Sequence, residues 1–386
     1  MATTVGSEYD HIEVASGGNA VKHYLKDNTA RGLASGLYEG KNLATAFASE
    51  IAGYSDAWAW IQARITAGNF NGINVGDYIP VTCTNNTSFD AVIMGINTYK
   101  GGPEESPSNA RTGNHIDFIF SKAWPTQGKF NLVDYNNGGY YSKYEYTADG
   151  SATVKSPYAF DNNLLPRIKN VTRNINLDPG THYTYNPDTL DITFLSGSIP
   201  ASGAEMRFMT VRVEHIAFSN IHAYLNSQAH YVPNGTAFRP EVILKDYTTD
   251  GVFYYLPSAL QNVISGKSLT MPTRYGASEL VTTPEDQSTK YLGRIWLLTE
   301  VEIYGRAIAG SAKFTSGQVQ YPLFKNNTMR IIPDNITSSY DMSMFMTYSE
   351  VDGTSDKYSA IKKGYIYSSP PSSTHFFRPC FRVAAG

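Results

Sequence analysis

The sequence predicts an α+β, β-rich protein: a large globular domain, an inserted small β module and an extended N-terminal arm. Three observations predict this. First, charged residues make up only 17% of the 386-residue chain, below the ~25% usual for soluble domains. Second, the 28 tyrosines and 32 glycines suit strands and turns better than solvated helices. Third, apolar runs of strand length recur between Asn, Gly and Pro turns, while stretches with helical period are few and short. A chain of this length is ample for a sizeable core.

Residues 1–53 differ from the rest. Val21 to Tyr24 reads as a strand-like start followed by a polar, helix-capable patch. Ala44 to Ala52 is small and helical. Glycines at 17, 18, 32, 36 and 40 break up the segment. It is too sparse in apolar residues to bury a core by itself, so it reads as an arm, or as a helix that packs on something else.

The globular pattern starts near Asp56. Ala57 to Ile65 has helical period, with Trp58, Ile61 and Ile65 on one face, and Gly68 and Gly72 as stop signals. Tyr78 to Val81 and Ala91 to Ile96 read as strands joined by a polar turn at Thr84 to Thr87. Residues 100–114 read as a loop. His115 to Phe120 alternates, predicting Ile116, Phe118 and Phe120 on one face and His115, Asp117 and Ile119 on the other. A long loop is predicted over Val133 to Thr153. Its Tyr140, Tyr141, Tyr144 and Tyr146 are candidate surface-recognition residues, because aromatic faces stack on apolar sugar faces. The plain alternative is a tyrosine-rich hairpin packed on its own domain.

Residues 163–215 read as an insertion. Gly180 to Tyr185 and Leu190 to Phe194 form a strand, turn, strand pattern about Asn186-Pro187-Asp188, and Met206 to Val213 alternates as a further strand. The globular domain is therefore discontinuous, 54–162 and 216–386. Its second part opens on a helix at Phe218 to Asn226, and Pro257 starts another through Leu260, Val263 and Ile264.

The most informative stretch is Tyr291 to Gly305. Ile295 to Leu298 is an apolar run, and Thr299 reads as a helix N-cap. Glu300 and Glu302 fall in the first turn, where the helix dipole favours negative charge. The plain reading is a core strand followed by a surface helix. A buried Trp296 needs a partner for its indole N–H. A C-terminal strand ending at Phe381-Arg382-Val383 is predicted to close the sheet.

Chemistry is sparse. No nucleophile elbow, Walker loop, zinc-binding helix or Cys-x-x-Cys appears, so no catalytic, cofactor or metal residue is assigned. His115 and Asp117 share a strand face at a spacing a metal can use, but no third ligand is in view. Cys83 and Cys380 form no disulfide framework. The formal net charge of −3 without a basic run gives no footprint for nucleic acid. No apolar run approaches the ~20 residues that span a bilayer. The first residues lack the pattern of a secretory leader, and the chain reads as made in a reducing cytosol.

Several stretches resemble known segments. The run from Trp296 to Gly305 is similar to the core of an uncharacterised domain family that recurs in phage virion proteins and bacterial cell-surface proteins. Val75 to Ile79, Gly95 to Tyr99, His115 to Ile119, Ser156 to Tyr158, Tyr321 to Phe324 and Phe377 to Phe381 follow that family's order. Ser343 to Tyr348 stands where the family carries a tryptophan-rich strand. The leucine-threonine-glutamate and terminal phenylalanine-arginine-proline elements are also similar to C-type-lectin-like and formylglycine-generating-enzyme-like folds. No paired redox cysteines accompany them, so that enzyme activity is not carried over. The 163–215 module is similar to small β-sandwich spacers of phage structural proteins. Val21 to Arg31 resembles a segment at the attachment end of phage fibre and head-fibre proteins, which assigns assembly roles to Lys22, Tyr24, Lys26, Asp27 and Arg31.

The resemblance implies a bacteriophage virion structural protein: head fibre, tail fibre or capsid decoration. It implies other virion proteins of capsid or tail as partners, a homo-oligomer, by analogy a trimer, and a surface able to meet a host glycan. Nucleic-acid binding and membrane insertion are not expected. Localisation to the virion, after assembly in the host cytoplasm, follows. The alternative is a carbohydrate-binding adhesin on a bacterial surface. A glycan-degrading enzyme would need two acidic residues ~5–10 Å apart in a cleft.

Overall fold

Strand pairing begins near the N-terminus. Thr3–Val5 (β1), His11–Ser16 (β2) and Asn19–Tyr24 (β3) form a three-stranded antiparallel sheet in sequential order. Lys22 and Tyr24 lie on β3, in register with Glu13 and His11. The computed structural model describes residues 3–5, 11–16, 19–24, 40–100, 113–129, 141–156, 167–186, 191–211, 219–234, 241–272, 287–306, 318–325, 343–350, 356–362, 365–369 and 374–386. Lys26, Asp27, Arg31 and Tyr140 lie outside that set.

Residues 40–53, which composition groups with the arm, pack on the body. Asn42 caps Leu43–Ala46 (α1) by accepting the Ala44 N–H at 2.9 Å, and Ala48–Ile51 (α2) follows. Leu43 is fully buried in the main core. The Lys41 N–H donates to Asp77 at 3.0 Å, and the Tyr78 N–H to the Lys41 carbonyl at 3.0 Å. A Cβ on Gly40 would sit 1.7 Å from the Gly76 carbonyl oxygen, so this backbone approach requires glycine.

The Asp56 carboxylate accepts the Trp58 and Ala59 N–H groups at 2.8 and 2.9 Å and starts Ala57–Thr66 (α3). Trp58, Ile61 and Ile65 are buried as their spacing predicts, and Trp60 is buried as well. The chain continues through Tyr78–Thr82 (β4), Ser88–Ile96 (β5), His115–Phe120 (β6) and Gly128–Lys129 (β7).

The module follows as Tyr141–Thr147 (β8), Thr153–Lys155 (β9), Arg167–Asn170 (β10), Ile175–Leu177 (β11), Tyr183–Asn186 (β12), Asp191–Phe194 (β13) and Glu205–Val211 (β14). Ile168, Leu177, Met206 and Phe208 from one sheet meet Tyr183, Ile192 and Phe194 from another in a second core. This module starts upstream of residue 163. β8 pairs with β14, and β9 with β13, so much of the stretch from 141 that reads as loop is strand.

After it come Asn220–Leu225 (α4), Ala229–Asn234 (β15), Glu241–Asp246 (β16), Val252–Tyr255 (α5), Ser258–Val263 (α6), Ile264–Ser265 (β17), Ser268–Pro272 (β18), Gln287–Tyr291 (β19), Ile295–Trp296 (β20) and Glu300–Tyr304 (α7). The remaining strands are Ser343–Glu350 (β21), Asp356–Lys362 (β22), Tyr365–Ser369 (β23), Thr374–Phe377 (β24) and Cys380–Ala384 (β25).

The architecture is mixed α and β, mostly strands, with a curled half-barrel sheet. The body sheet has the order β17-β25-β6-β5-β4, and β20 also pairs with β25. The C-terminal strand thus sits beside β6 inside the sheet. That position explains a departure from the alternation of β6: all six of its residues are buried, the His115, Asp117 and Ile119 face included. A strand covered on both sides has no solvent face. Phe118 and Phe381, cross-strand partners, stack at 5.1 Å, and Trp58 meets both edge-on. One core takes residues from 43–124 and 221–383.

Candidate functional site

The apolar run before Thr299 pairs as strand only at Ile295–Trp296, while Leu297 and Leu298 are buried outside any strand. Thr299 then caps α7. Its side chain accepts the Glu302 N–H at 3.2 Å, and the Glu302 carboxylate accepts the Thr299 N–H at 2.9 Å. This is a reciprocal capping box. Gly305 ends the helix in the left-handed region, φ 75°. The helix is not at the surface: Glu300, Val301, Glu302 and Ile303 are all buried. The Thr299→Ala variant is expected to lose about 1 kcal/mol of stability, the worth of a cap. Urea unfolding measures it, and an unchanged midpoint would show the box carries no load.

Burying Glu302 demands compensation, because an isolated charge in the interior is costly. Lys267 supplies it: Nζ contacts Oε1 of Glu302, and both side chains are fully enclosed. The Tyr99 hydroxyl donates to the same oxygen at 2.7 Å. Lys267 Nζ also donates to the Tyr321 hydroxyl at 2.9 Å, and Tyr321 donates onward to Asp117 Oδ2 at 2.9 Å. Arg382 grips Asp117 with both oxygens engaged, Nε to Oδ1 at 2.7 Å and Nη2 to Oδ2 at 2.9 Å. Two carboxylates and two cations are thus joined through a tyrosine, with no net charge. Rings enclose the ammonium: its Nζ lies 4.2, 5.1 and 5.2 Å from the centroids of Tyr99, Tyr321 and Trp296. Trp296 Nε1 is buried and meets no hydrogen-bond partner among the described residues.

The elements that place these groups come from the whole length of the body. Asp117 sits on β6 and Arg382 opposite it on β25, in direct register. Burial alone would raise the Asp117 carboxyl. The Arg382 guanidinium, with His115 and Lys267 adding to it, outweighs that and holds it down at about 2. His115 lies 3.8 Å from Asp117, and its Nε2 accepts the Tyr99 N–H at 3.3 Å. Nδ1 is therefore the protonated nitrogen and donates to the Gly113 carbonyl at 3.2 Å. Burial, then the Arg382 charge, push His115 down to about 4. Burial and the neighbouring carboxylates put the Tyr99 and Tyr321 hydroxyls well above their ordinary value.

A pH dependence follows. The folded state binds the His115 proton more weakly than the unfolded chain does. Stability is therefore full above the ordinary value of 6.5 and falls as pH drops from 6.5 towards about 4. His375, pushed down to about 4 by burial, acts in the same window. Asp117 adds a further loss between 3.8 and about 2. Denaturant midpoints are expected to fall from pH 8 to 4 in the parent protein and to fall less in His115→Gln, which keeps only the His375 share of that loss. A flat profile in the parent protein would contradict the assignment.

Both cysteines are buried thiols. Burial pushes Cys83 up to about 12 and Cys380 well above its ordinary value, which leaves both poor nucleophiles. Among the described residues no group of three or more His, Cys, Asp or Glu is placed to hold a metal. No described helix is long and apolar enough to cross a membrane. Asp117 and Glu302 are an acidic pair enclosed in protein, not one lining a cleft. Of the recognition tyrosines, Tyr141 and Tyr144 lie on β8, while Tyr146 is half-buried and stacks on Phe208 at 5.3 Å in the second core.

The network's parts were open to view in the sequence only as anomalies. Asp117 and Arg382 each interrupt an apolar strand, Ile116-Asp117-Phe118 and Phe381-Arg382-Val383. Opposite charges in two such strands are the signal for a buried pair. Lys267 and Tyr99 carry no such signal. No protein-family model, curated protein or solved structure matches the chain.

Proposed function

We propose that the chain is a bacteriophage virion structural protein, a head fibre, tail fibre or capsid decoration, whose C-type-lectin-like body is displayed on the particle. The observation that carries this reading is where the ordered motifs lie. Val75, Phe118, Trp296, Phe324, Phe377 and Phe381 come from motifs scattered along the chain and pack in one core. Asp117, Glu302 and Tyr321, from three of those motifs, meet in one network. A motif set that condenses in this way behaves as one domain's framework, which supports the family resemblance and the setting that goes with it. The protein acts by assembly and contact rather than by catalysis.

In this reading the N-terminal segment, with Lys22, Tyr24, Lys26, Asp27 and Arg31, joins the protein to capsid or tail proteins and to other copies of itself, most simply as a trimer. Tyr140, Tyr141 and Tyr144 offer a surface for a host glycan. Tyr146 packs inward and is left out of that surface. The protein is assembled into the virion in the host cytoplasm, without nucleic-acid contact or membrane insertion.

Light scattering on the full chain and on residues 40–386 tests the assembly role. Truncation at 40 keeps Leu43 and its cap, which the body core needs. The expected result is a trimer for the full chain and a folded monomer for the truncated one. Monomers in both would remove self-assembly from the proposal.

A further inference from the structure

We propose that Lys267 and Glu302 condense into an intramolecular isopeptide bond, Nζ to Cδ. The placement carries the argument. Both side chains are completely enclosed, and Nζ is in direct contact with the carboxylate. The walls are the rings of Tyr99, Trp296 and Tyr321. The backbone on both sides is fixed. The Lys267 N–H donates to the Gly293 carbonyl at 3.1 Å, the Leu292 N–H to the Lys267 carbonyl at 2.7 Å, and Glu302 lies in a capped helix. Two reacting groups held together in an enclosed site need no further entropy loss to meet. Asp117 is the other carboxylate nearby. It is screened from Nζ by the Tyr321 hydroxyl, and Arg382 occupies both its oxygens.

The step balances without a cofactor. One proton passes from the ammonium to Glu302, leaving an amine beside a neutral acid. The Nζ lone pair forms the new bond to Cδ. Charge that develops on Oε2 meets the Thr299 N–H, already 2.9 Å away. The Cδ–Oε1 bond breaks. Oε1 leaves as water with the two protons Nζ has lost, both passed directly across the Nζ–Oε1 contact, while the Tyr99 hydroxyl donates to Oε1 at 2.7 Å. Ammonium plus carboxylate becomes amide plus water, and charge is zero before and after. Oε2 stays as the amide oxygen, so the Thr299 contact and the helix cap survive. The product also replaces two buried charges, which are costly to desolvate, with one neutral amide. It ties residues 35 apart in sequence and so limits the chain's unfolded freedom.

Intact mass of the full-length protein under denaturing conditions tests this, with Lys267→Met as the comparison. The parent is expected to be one water lighter than its sequence mass, and the variant to match its own. Tryptic digestion of the denatured parent is expected to yield a branched peptide joining the Lys267 and Glu302 segments, uncleaved after Lys267. A parent protein at full sequence mass, cleaved normally after Lys267, would overturn the proposal and leave the pair ionic.

Discussion

Replacing Arg382 with methionine is expected to cost about 3–5 kcal/mol, because it strands the Asp117 carboxylate in the interior. Asp117 is fully buried and takes two hydrogen bonds from Arg382. The Tyr321 hydroxyl alone cannot supply the lost charge. The variant is expected to relieve the burden by protonating Asp117, so its deficit should shrink as pH falls. The double variant Asp117→Leu with Arg382→Met is expected to be more stable than Arg382→Met alone, since nothing charged is left unpaired at that end. Equilibrium unfolding in guanidinium checks all three proteins. A double variant no better than the single one would show that packing, and not the unpaired charge, sets the cost.

The second large effect is expected at Asn226. Its Oδ1 accepts the Arg294 and Ile295 N–H groups at 2.7 and 3.1 Å, and its Nδ2 donates to the His222 and Ile295 carbonyls at 3.1 and 3.0 Å. One side chain thus satisfies backbone groups at the end of α4 and the start of β20. Gly293 must be glycine to make room: its φ is +87°, and a Cβ there would lie 2.4 Å from the Asn226 amide. Asn226→Ala leaves several buried polar groups without partners, at ~1–3 kcal/mol each before relaxation. A loss of at least about 3 kcal/mol is expected on that basis. Asn226→Asp keeps the acceptor but sets an unpaired carboxylate against the His222 and Ile295 carbonyls, so its loss should be at least as large as that of alanine. Thermal unfolding of both variants checks the order. An alanine variant within about 1 kcal/mol of the parent would mean that water replaces the amide.

Which parts were legible in the sequence follows from how local their causes are. The α3 helix, the Thr299 cap and the β12–β13 pair rest on spacing and turn chemistry within a few residues, and they formed where those signals lie. The burial of α7 depends instead on partners far away. Glu302 reads as an exposed first-turn acid until Lys267 and Tyr99, 35 and 203 residues distant, arrive to satisfy it. The same holds for β6. Alternation predicts a polar face, but a C-terminal strand and its arginine turn that face inward. The module's edge moved for a related reason. Tyr141–Thr147 looks like loop by composition, and its strand character comes from pairing with β14. Asn226 gave no hint of its role, because it bridges two elements that adjoin only after folding.

The most direct test of the account is where the protein resides. An antibody raised against residues 40–386 should be applied to purified phage particles from the host that carries this gene, with gold labelling in the electron microscope. Label at a fixed position on intact particles, in multiples of the oligomer, is the predicted result. Particles free of label, with the protein instead on the bacterial envelope, would contradict the virion assignment and favour the carbohydrate-binding adhesin.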